Sequence, residues 1–494
     1  MAGASLAIEV GVGQRARPSF IERFPAYPPA AAGAFVIASF VDFQAPLSSL
    51  VRPLVIAVAA VAVLQLLVTL ALRRRHVAAF ATFAIVGVPL MPLQTMVLLA
   101  AIDIALLVGR LRTGRFPRMP WKRISGFADA VVVLVLVMQV ATLVAIGPVV
   151  PPLQAKGAAL PGAPDIYLLL LDGHPRLDTV EQELGVDPGP FRTAMAGLGF
   201  DEATAARSNY NFTFLTLASM FNGVQADELV AGRPADYRTL LRAINGGRLL
   251  ATFRDAGYEF VSIASPFTQG AFQAVDRFID TGQPTDFELG LLQSGLVPRM
   301  LPGLQRDWAL EQHRDRVIDT FEALEAVAAE PHHGPRLVFT HVMAPHLPIV
   351  FDKEGAIPPG NECYPERCTL WAFEHDPKRF AEHVTYTDQL VVNAVRAILE
   401  RSASPPVIVV FSDHGLRIDP YDEQESLRNL LMTATPGHPG LFPEDASPVN
   451  YLTRLANAYV GTTIALSSEE SYWLDAIAMG ELGPFSYRPS SADP

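Results

Sequence analysis

Cysteine is nearly absent from this sequence. Its 494 residues include only two, Cys363 and Cys368, which stand close together in the segment NECYPERC. Two thiols without a second pair are a poor set of ligands for a structural zinc ion. Their spacing allows a small loop disulfide in an oxidising compartment, and the sequence leaves that pairing open.

Excess positive charge is also lacking. Lysine and arginine together number 38, against 50 aspartates and glutamates, which gives a formal net charge of −12 at pH 7. Because binding to nucleic-acid phosphates requires a basic face, the composition argues against nucleic acid as a partner. An anionic substrate would then need a local positive centre such as a metal ion.

A signal peptide is not indicated, since the sequence has no compact basic start followed by an apolar run and a cleavage site.

Long apolar runs are abundant, but only in the first third of the chain. Mean hydropathy is +0.26 although 18% of the residues are charged, because residues 31–150 consist largely of alanine, valine and leucine. Val51–Leu72 and Ala128–Val150 each have about the 20 residues that are needed to cross a bilayer core. Both segments are predicted to be transmembrane helices.

Further apolar segments lie before and between these two. Pro89 and Pro92 interrupt one long stretch, which predicts two short helices on either side of them, Val77–Val88 and Leu93–Val108. A weaker candidate span, Pro29–Val41, is shorter than a bilayer core requires. The region therefore has four or five candidate spans.

Two loops of this region carry clusters of basic residues. These residues are Arg73, Arg74, Arg75, Arg110, Arg112, Arg115, Arg118, Lys122 and Arg123. Loops rich in lysine and arginine stay in the cytoplasm, so the last span runs outward. We predict a multi-pass anchor in the cell membrane over residues 1–150, and an extracytoplasmic domain, periplasmic or extracellular, over residues 151–494. A soluble domain with buried apolar helices is the alternative, which the one-sided charge of the loops disfavours. Oligomeric state is not indicated.

The second region alternates short apolar runs with amphipathic stretches. The predicted strands are Ile166–Leu171, Phe260–Ala264, Leu337–Phe339 with its flanks, and Val407–Phe411. The predicted helices are Tyr237–Ala256, Trp308–Ala329 and Phe380–Arg401. Continuous apolar strands are typical of a sheet that is covered on both faces, so we predict a doubly wound α/β fold with a mainly parallel sheet.

Chemically active side chains follow two of the predicted strands directly. Asp172 and Gly173 end the run LLLLDG, and Asp413 and His414 end VIVVFSDHG. In a doubly wound fold, binding residues gather at the carboxyl ends of the strands. Carboxylate and imidazole groups are suitable ligands for a divalent ion. Asp-Gly after a strand is usually only a turn, but the two sites together favour a metal centre.

Four segments in this order resemble a known family. DIYLLLLDG, SNYNFTFLTLASMFNG, THVMAPHLPIVF and FSDHG are similar to the sulfatase-like branch of the alkaline-phosphatase superfamily, over roughly Pro164 to Tyr451. Its membrane-anchored members, akin to lipoteichoic acid synthase and phosphoethanolamine transferase, place helices before an outer catalytic domain. The resemblance implies an α-helical membrane anchor plus a sulfatase-type α/β domain. It also implies a metal-dependent enzyme that transfers or hydrolyses a phosphate- or sulfate-ester group.

The resemblance also implies roles for particular residues. Asp172, Thr213, Asp413 and His414 would bind the metal ion, with Thr213 as the catalytic nucleophile at the start of a helix and Thr216 as the second candidate. The expected ion is zinc, manganese, calcium or magnesium. From the residues alone, Thr213 is equally well explained as a helix cap or a core threonine in FTFLTLASMF.

Substrate-binding residues are implied in two further segments. His341 and His346, which flank Pro345 after a predicted strand, would contact the oxygens of the substrate, as would Asn209. His174 has weaker support as a neighbour of the site. The other histidines that we considered are expected to be solvated: His332, His333, His375, His383 and His438.

Two departures from the family pattern narrow the expected chemistry. The segment that matches the family's nucleophile, SNYNFTFLTLASMFNG, has no C/S-x-P-x-R signature, and the run CYPER at 363–367 lies elsewhere in the chain, which disfavours sulfate hydrolysis through a formylglycine. Asp172 stands where the transferases usually have glutamate. The anchor favours a lipid-linked or cell-envelope glycan substrate near the membrane. A phosphatase or phosphodiesterase that releases a free product, and an inactive scaffold in the envelope, are the alternatives.

Overall fold

The computed structural model of the chain describes residues 25–43, 47–87, 120–147, 150–230, 235–264, 272–281, 284–293, 302–360, 377–416, 422–474 and 486–491, with residues 104, 108 and 112. These residues divide into two units, one within 1–38 and 51–146 and the other within 39–50 and 147–494. The predicted pairing of Cys363 with Cys368, the environment of His375 and most of the predicted helix Leu93–Val108 lie outside the described residues.

Apolar helices form the first part of the chain. They are α1 (Tyr27–Phe43), α2 (Ser48–Leu72), α3 (Arg75–Gly87) and α4 (Trp121–Ile146). Among the described residues, two helical segments are long and apolar enough to cross a membrane, within α2 and α4, whereas α1 and α3 are shorter. Large apolar side chains of α2 and α4 are exposed, such as Leu70 at 64% and Val144 at 74%. Such surfaces are typical of contact with lipid. The number of spans stays a prediction.

A seven-stranded sheet organises the second unit. Its strands are β1 (Ile166–Leu171), β2 (Asp201–Glu202), β3 (Glu259–Ala264), β4 (Arg277–Asp280), β5 (Arg336–Val342), β6 (Val407–Phe411) and β7 (Leu431–Ala434). The order is β2-β7-β6-β1-β5-β3-β4, and the five strands from β6 to β4 are parallel to one another. Strand β7 pairs with β6 in the antiparallel sense, and β2 pairs with β7 in the antiparallel sense. The predicted mainly parallel α/β fold is confirmed.

Helices cover both faces of this sheet. They are α5 (Leu177–Leu184), α6 (Gly189–Gly197), α7 (Thr213–Asn222), α8 (Ala226–Val230), α9 (Tyr237–Asn245), α10 (Arg248–Asp255), α11 (Asp286–Gln293), α12 (Pro302–Ala329), α13 (Pro377–Arg401), α14 (Glu423–Leu427) and α15 (Tyr451–Leu455). A hairpin of β8 (Tyr472–Leu474) and β9 (Tyr487–Pro489) forms a separate two-stranded sheet.

Strand β1 shows why its sequence is apolar at every position. Ile166, Leu168 and Leu170 pack into one core with α7, α9, α10 and α15. The alternate side chains of β1 pack into a second core with α5, α6, α12 and α13. Because both faces are covered, no position of the strand faces water. Burial of each leucine stabilises the fold by about 1.5–3 kcal/mol.

One predicted helix is in fact two. The predicted segment Tyr237–Ala256 breaks at Gly246 and Gly247 into α9 and α10. A Cβ atom at Gly247 would lie 2.5 Å from the carbonyl oxygen of Phe221, so only glycine fits where this connection crosses α7.

The expectation that His383 is solvated is wrong. His383 lies on α13 and is fully buried, and its ring centroid is 5.4 Å from that of Phe351 and 6.4 Å from that of Phe380. Burial, with a smaller effect of nearby His313, lowers the pKa of His383 from 6.5 to about 3. His383 lies three residues after Phe380 and four before Thr387, which are both buried, so it shares the covered face of α13 and is excluded from water.

Acid is therefore expected to destabilise the fold through His383. The unfolded chain binds a proton below about pH 6.5 and the folded chain only below about pH 3. The free energy of unfolding should thus fall as the pH drops below 6.5, by up to about 1.4 kcal/mol per pH unit. Urea unfolding of the full chain in detergent at about pH 8 and about pH 5 tests this. His383→Phe should reduce the pH dependence, whereas the exposed control His438→Ala should not; equal slopes for all three proteins would contradict the assignment.

Candidate metal centre

Two neighbouring strands of the sheet deliver a cluster of buried ligand-type side chains. Asp172 follows β1 directly, and Asp413 and His414 lie just after β6, which is paired with β1 in parallel. All three are buried, and one ligand atom from each lies within 4.8 Å of those of the other two. His414 Nε2 is 3.5 Å from Asp172 Oδ1 and 3.6 Å from Asp413 Oδ2. The carboxyl edge of the sheet therefore brings together residues about 240 positions apart.

Each carboxylate has one oxygen held by the protein. Asp172 Oδ2 lies 2.9 Å from Nε2 of His341, which donates to it. Asp413 Oδ1 accepts a hydrogen bond from the backbone N–H of Gly173 at 3.1 Å. The second oxygens, Asp172 Oδ1 and Asp413 Oδ2, are buried without a hydrogen-bond partner. Buried oxygens without partners are costly, and both of these lie within 3.6 Å of Nε2 of His414.

His414 supplies the third ligand atom of the site, and its ring is also held by the protein. Its Nδ1 lies 2.8 Å from the carbonyl oxygen of Gly415 and must donate to it, because a carbonyl only accepts. Nε2 is then the nitrogen that faces the two carboxylates, and it too is buried without a hydrogen-bond partner. An imidazole fixed through Nδ1 by a backbone carbonyl is the usual arrangement of a metal-binding histidine. The three atoms together fit a divalent cation.

Gly173 explains the Asp-Gly pair at the end of β1. Its φ is +68°, and a Cβ atom there would lie 3.1 Å from Cε1 of His414. Glycine therefore allows both the left-handed turn and the close approach of the imidazole. Its N–H is also the donor to Asp413, so this turn links the two carboxylates.

The surrounding histidines keep Asp172 ionised. Burial by itself would raise the pKa of Asp172, but His346, His341 and His414 together hold this pKa well below its ordinary value. His346 Nε2 is 4.0 Å from Asp172 Oδ1, and the side chain of His346 is 29% exposed. Both predicted substrate-binding histidines thus lie beside Asp172, and their contact with substrate stays a prediction.

Thr213 is the first residue of α7, and its side chain is buried. One turn later, Thr216 donates a hydrogen bond to the main-chain oxygen of Asp413 at 3.1 Å, and Ser208 contacts the same oxygen. Residues three apart share a helix face and lie about 4.5 Å apart along the axis. The start of α7 therefore adjoins the Asp413 main chain. The role of Thr213 stays a prediction.

Asn209 has partners within the protein on both sides of its amide. Nδ2 donates to Ser447 Oγ at 3.1 Å and to the carbonyl oxygen of Glu470 at 3.0 Å. Oδ1 accepts from the N–H of Val449 at 2.8 Å. The side chain thus ties the segment before α7 to later parts of the chain, and its predicted contact with substrate stays a prediction.

Asn211 also joins the segment before α7 to a later part of the chain, and the sequence did not indicate this role. Its amide donates to the carbonyl oxygen of Leu474 at 3.1 Å and accepts from the N–H of the same residue at 2.9 Å. The N–H of Tyr472 donates to the main-chain oxygen of Asn209 at 2.7 Å, and the rings of Tyr210 and Tyr472 stack with centroids 5.6 Å apart. Residues 470–474 thereby fix the segment that leads into Thr213. The motif NYN gives no local signal for a partner so far along the chain.

Comparison with known proteins decides the family. The family model described as Sulfatase matches residues 200–456, slightly more than half of the chain. The chain belongs to the sulfatase family. It is therefore an alkaline-phosphatase superfamily enzyme that acts on sulfate or phosphate esters, and the resemblance seen in the sequence is confirmed. No protein with a curated description matches the sequence significantly.

Solved structures are similar to this sulfatase-family protein at low identity. The C-terminal periplasmic domain of EptC from Escherichia coli is 13% identical, with a TM-score of 0.42 over 64% of this chain and 89% of that chain. The integral membrane protein lipooligosaccharide phosphoethanolamine transferase A from Neisseria meningitidis is 14% identical, with a TM-score of 0.40 over 89% of this chain and 84% of that chain. Phosphonate monoester hydrolase of Agrobacterium radiobacter is 13% identical, with a TM-score of 0.42 over 64% and 82%.

Proposed function

We propose that this protein transfers or hydrolyses a phosphate- or sulfate-ester group through a covalent intermediate on Thr213, at a divalent cation bound by Asp172, Asp413 and His414. The observation that carries the proposal is the convergence of three buried atoms without hydrogen-bond partners, Asp172 Oδ1, Asp413 Oδ2 and His414 Nε2. Two anionic carboxylates and an imidazole lone pair that face one another repel unless a cation lies between them.

The reaction would proceed in two displacements. In the first, the Thr213 hydroxyl loses its proton and Oγ1 bonds to the phosphorus or sulfur atom, the bond to the leaving oxygen breaks, and that oxygen takes up a proton, which gives the free alcohol. In the second, water or an acceptor alcohol attacks the same atom, the bond to Thr213 breaks, and the threonine hydroxyl is restored. A bound divalent ion would favour the ionised hydroxyl and neutralise charge on the transferred group.

Other residues of the site would hold the substrate. The start of α7 carries a partial positive charge that favours the anionic group transferred to Thr213. His341 and His346 lie beside Asp172 and would contact the substrate's oxygens. Asn209 would act from the same segment as Thr213. The ion would be zinc, manganese, calcium or magnesium, all of which accept carboxylate ligands.

The apolar helices support a substrate at the membrane. We propose a multi-pass anchor of four or five helices over residues 1–150 and an extracytoplasmic catalytic domain over residues 151–494, on the basis of the two membrane-length helices and the basic loops. Tethering would raise the local concentration of a lipid-linked or envelope glycan substrate.

Metal content tests this proposal. The full chain, purified in detergent, is expected to contain a stoichiometric amount of a divalent ion and to cleave a chromogenic phosphodiester or sulfate ester. Removal of the ion by a chelator should abolish turnover, and addition of one of the four ions should restore it. Comparison of the two esters identifies the preferred group, and an added alcohol that yields a new ester identifies transfer. Full turnover by the metal-free protein would contradict the mechanism, whereas metal binding without turnover of any ester would favour the inactive scaffold.

A further inference from the structure

His174 follows the turn that carries Asp172, and both of its ring nitrogens are bonded within the protein. The residue is fully buried. Its Nδ1 donates to the carbonyl oxygen of Pro175 at 2.8 Å, and its Nε2 lies 2.8 Å from Oδ1 of Asp388. The ring also stacks against Phe191, with centroids 6.4 Å apart and planes 27° from parallel. With both nitrogens engaged, His174 has no atom available for a metal ion or a substrate.

The main chain of His174 joins the two halves of the metal centre. Its N–H donates to the carbonyl oxygen of Leu171, the last residue of β1, at 3.2 Å. Its carbonyl oxygen accepts a hydrogen bond from the hydroxyl of Ser412 at 2.6 Å. Ser412 immediately precedes Asp413, so the main chain of His174 is bonded both to the strand that carries Asp172 and to the segment that carries Asp413.

Asp388 is the one side chain outside these strand ends that bonds the ring of His174 among the described residues. It lies in the middle of α13, and its side chain is 13% exposed. The 25-residue helix is anchored in the core by Val384, Val391 and Val395, all fully buried. A carboxylate on such a helix is a rigid support.

We propose that Asp388 is a positioning residue for the metal centre: through its hydrogen bond to His174 it fixes the turn of Asp172 against the Ser412–Asp413 segment at the separation that a cation requires. This inference rests on the proposed function, because it concerns the affinity of the same site. It assigns to α13 a part in metal binding although the helix supplies no ligand.

Zinc affinity of the full chain in detergent tests the inference, measured by competition with a chromophoric chelator. Asp388→Leu keeps a side chain that branches at Cγ but leaves Nε2 of His174 unbonded, and it should lower zinc affinity by about 10–100-fold, the usual effect of losing a support behind a metal ligand. Asp388→Asn offers an N–H to Nε2 and should restore most of the affinity. Val391→Ala, a buried change on the same helix, should lower the unfolding temperature without a comparable loss of zinc affinity.

The outcomes separate this inference from the proposed function. If the unaltered protein fails to bind zinc or any of the other three ions, the metal centre and the inference are both wrong. If it binds zinc and Asp388→Leu binds equally well, or if Val391→Ala weakens binding as much, only the inference is wrong. Should Asp388→Leu fail to fold, Asp388→Ala takes its place in the same comparison with Asp388→Asn.

Discussion

Replacement of Thr213 by valine is expected to lower kcat/KM for a chromogenic ester by at least about 1,000-fold. Valine keeps the branched shape of threonine at the first position of α7 and removes only the hydroxyl. Loss of the nucleophile from an enzyme with a covalent intermediate costs up to about a million-fold in rate, with a residual rate from binding and electrostatics. Thr213→Ser, which keeps a hydroxyl at the same place, should retain most of the activity.

Two comparisons make the result specific to Thr213. Thr252→Val is a matched control on α10, where the hydroxyl donates to the carbonyl oxygen of Arg248 on the surface, and its rate should equal that of the unaltered protein. Thr216→Val should cost less than Thr213→Val, because the Thr216 hydroxyl already donates to the Asp413 main chain. If Thr213→Val retains full activity while Thr216→Val abolishes it, the nucleophile is Thr216.

Asp413→Asn is expected to weaken the binding of divalent ions by more than about 100-fold, since even residues behind a ligand cost 10–100-fold. The amide oxygen can keep the hydrogen bond from Gly173 that Oδ1 now accepts. The amide nitrogen then replaces Oδ2, so that a donor points at the place where the structure has an unbonded acceptor. Because the change is isosteric, the metal-free fold should be retained, and the loss should appear in ion affinity and turnover together.

The control for this change is Asp445→Asn, which removes the same charge from an exposed position. Titration of both variants with zinc, manganese, calcium and magnesium would show which ions the site distinguishes. If Asp413→Asn binds every ion as tightly as the control does, Asp413 is not a ligand.

Strands with covered faces were predictable from local sequence, as were the residues at their ends. Strands β1 and β6 begin and end at the predicted residues, because a strand buried on both faces must be apolar throughout. Asp172 and Asp413 follow from the same rule, since parallel strands end at a common edge. Strands β2 and β7 have two and four residues and lie antiparallel at one side of the sheet, too short to give a periodic signal.

Features that depend on distant partners were not predictable. Asp388 is 214 positions from His174. Its spacing from Val384 and Val391 puts it on the apolar face of α13, but the pattern does not identify its partner. His383, in the same helix, was predicted to be solvated but is buried. The partner of Asn211 is likewise set by tertiary packing, which determines such contacts and leaves no trace in periodicity.

The dependence of the Thr213 segment on residues 470–474 has a consequence for how the enzyme is made. Asn209 bonds to a residue 261 positions further along the chain, and Asn211 to one 263 positions further. A growing polypeptide that has already produced every proposed metal ligand and the nucleophile still lacks the strand that holds the nucleophile in place. We therefore expect catalytic competence to be acquired late in biosynthesis, after all the proposed metal ligands have been synthesised.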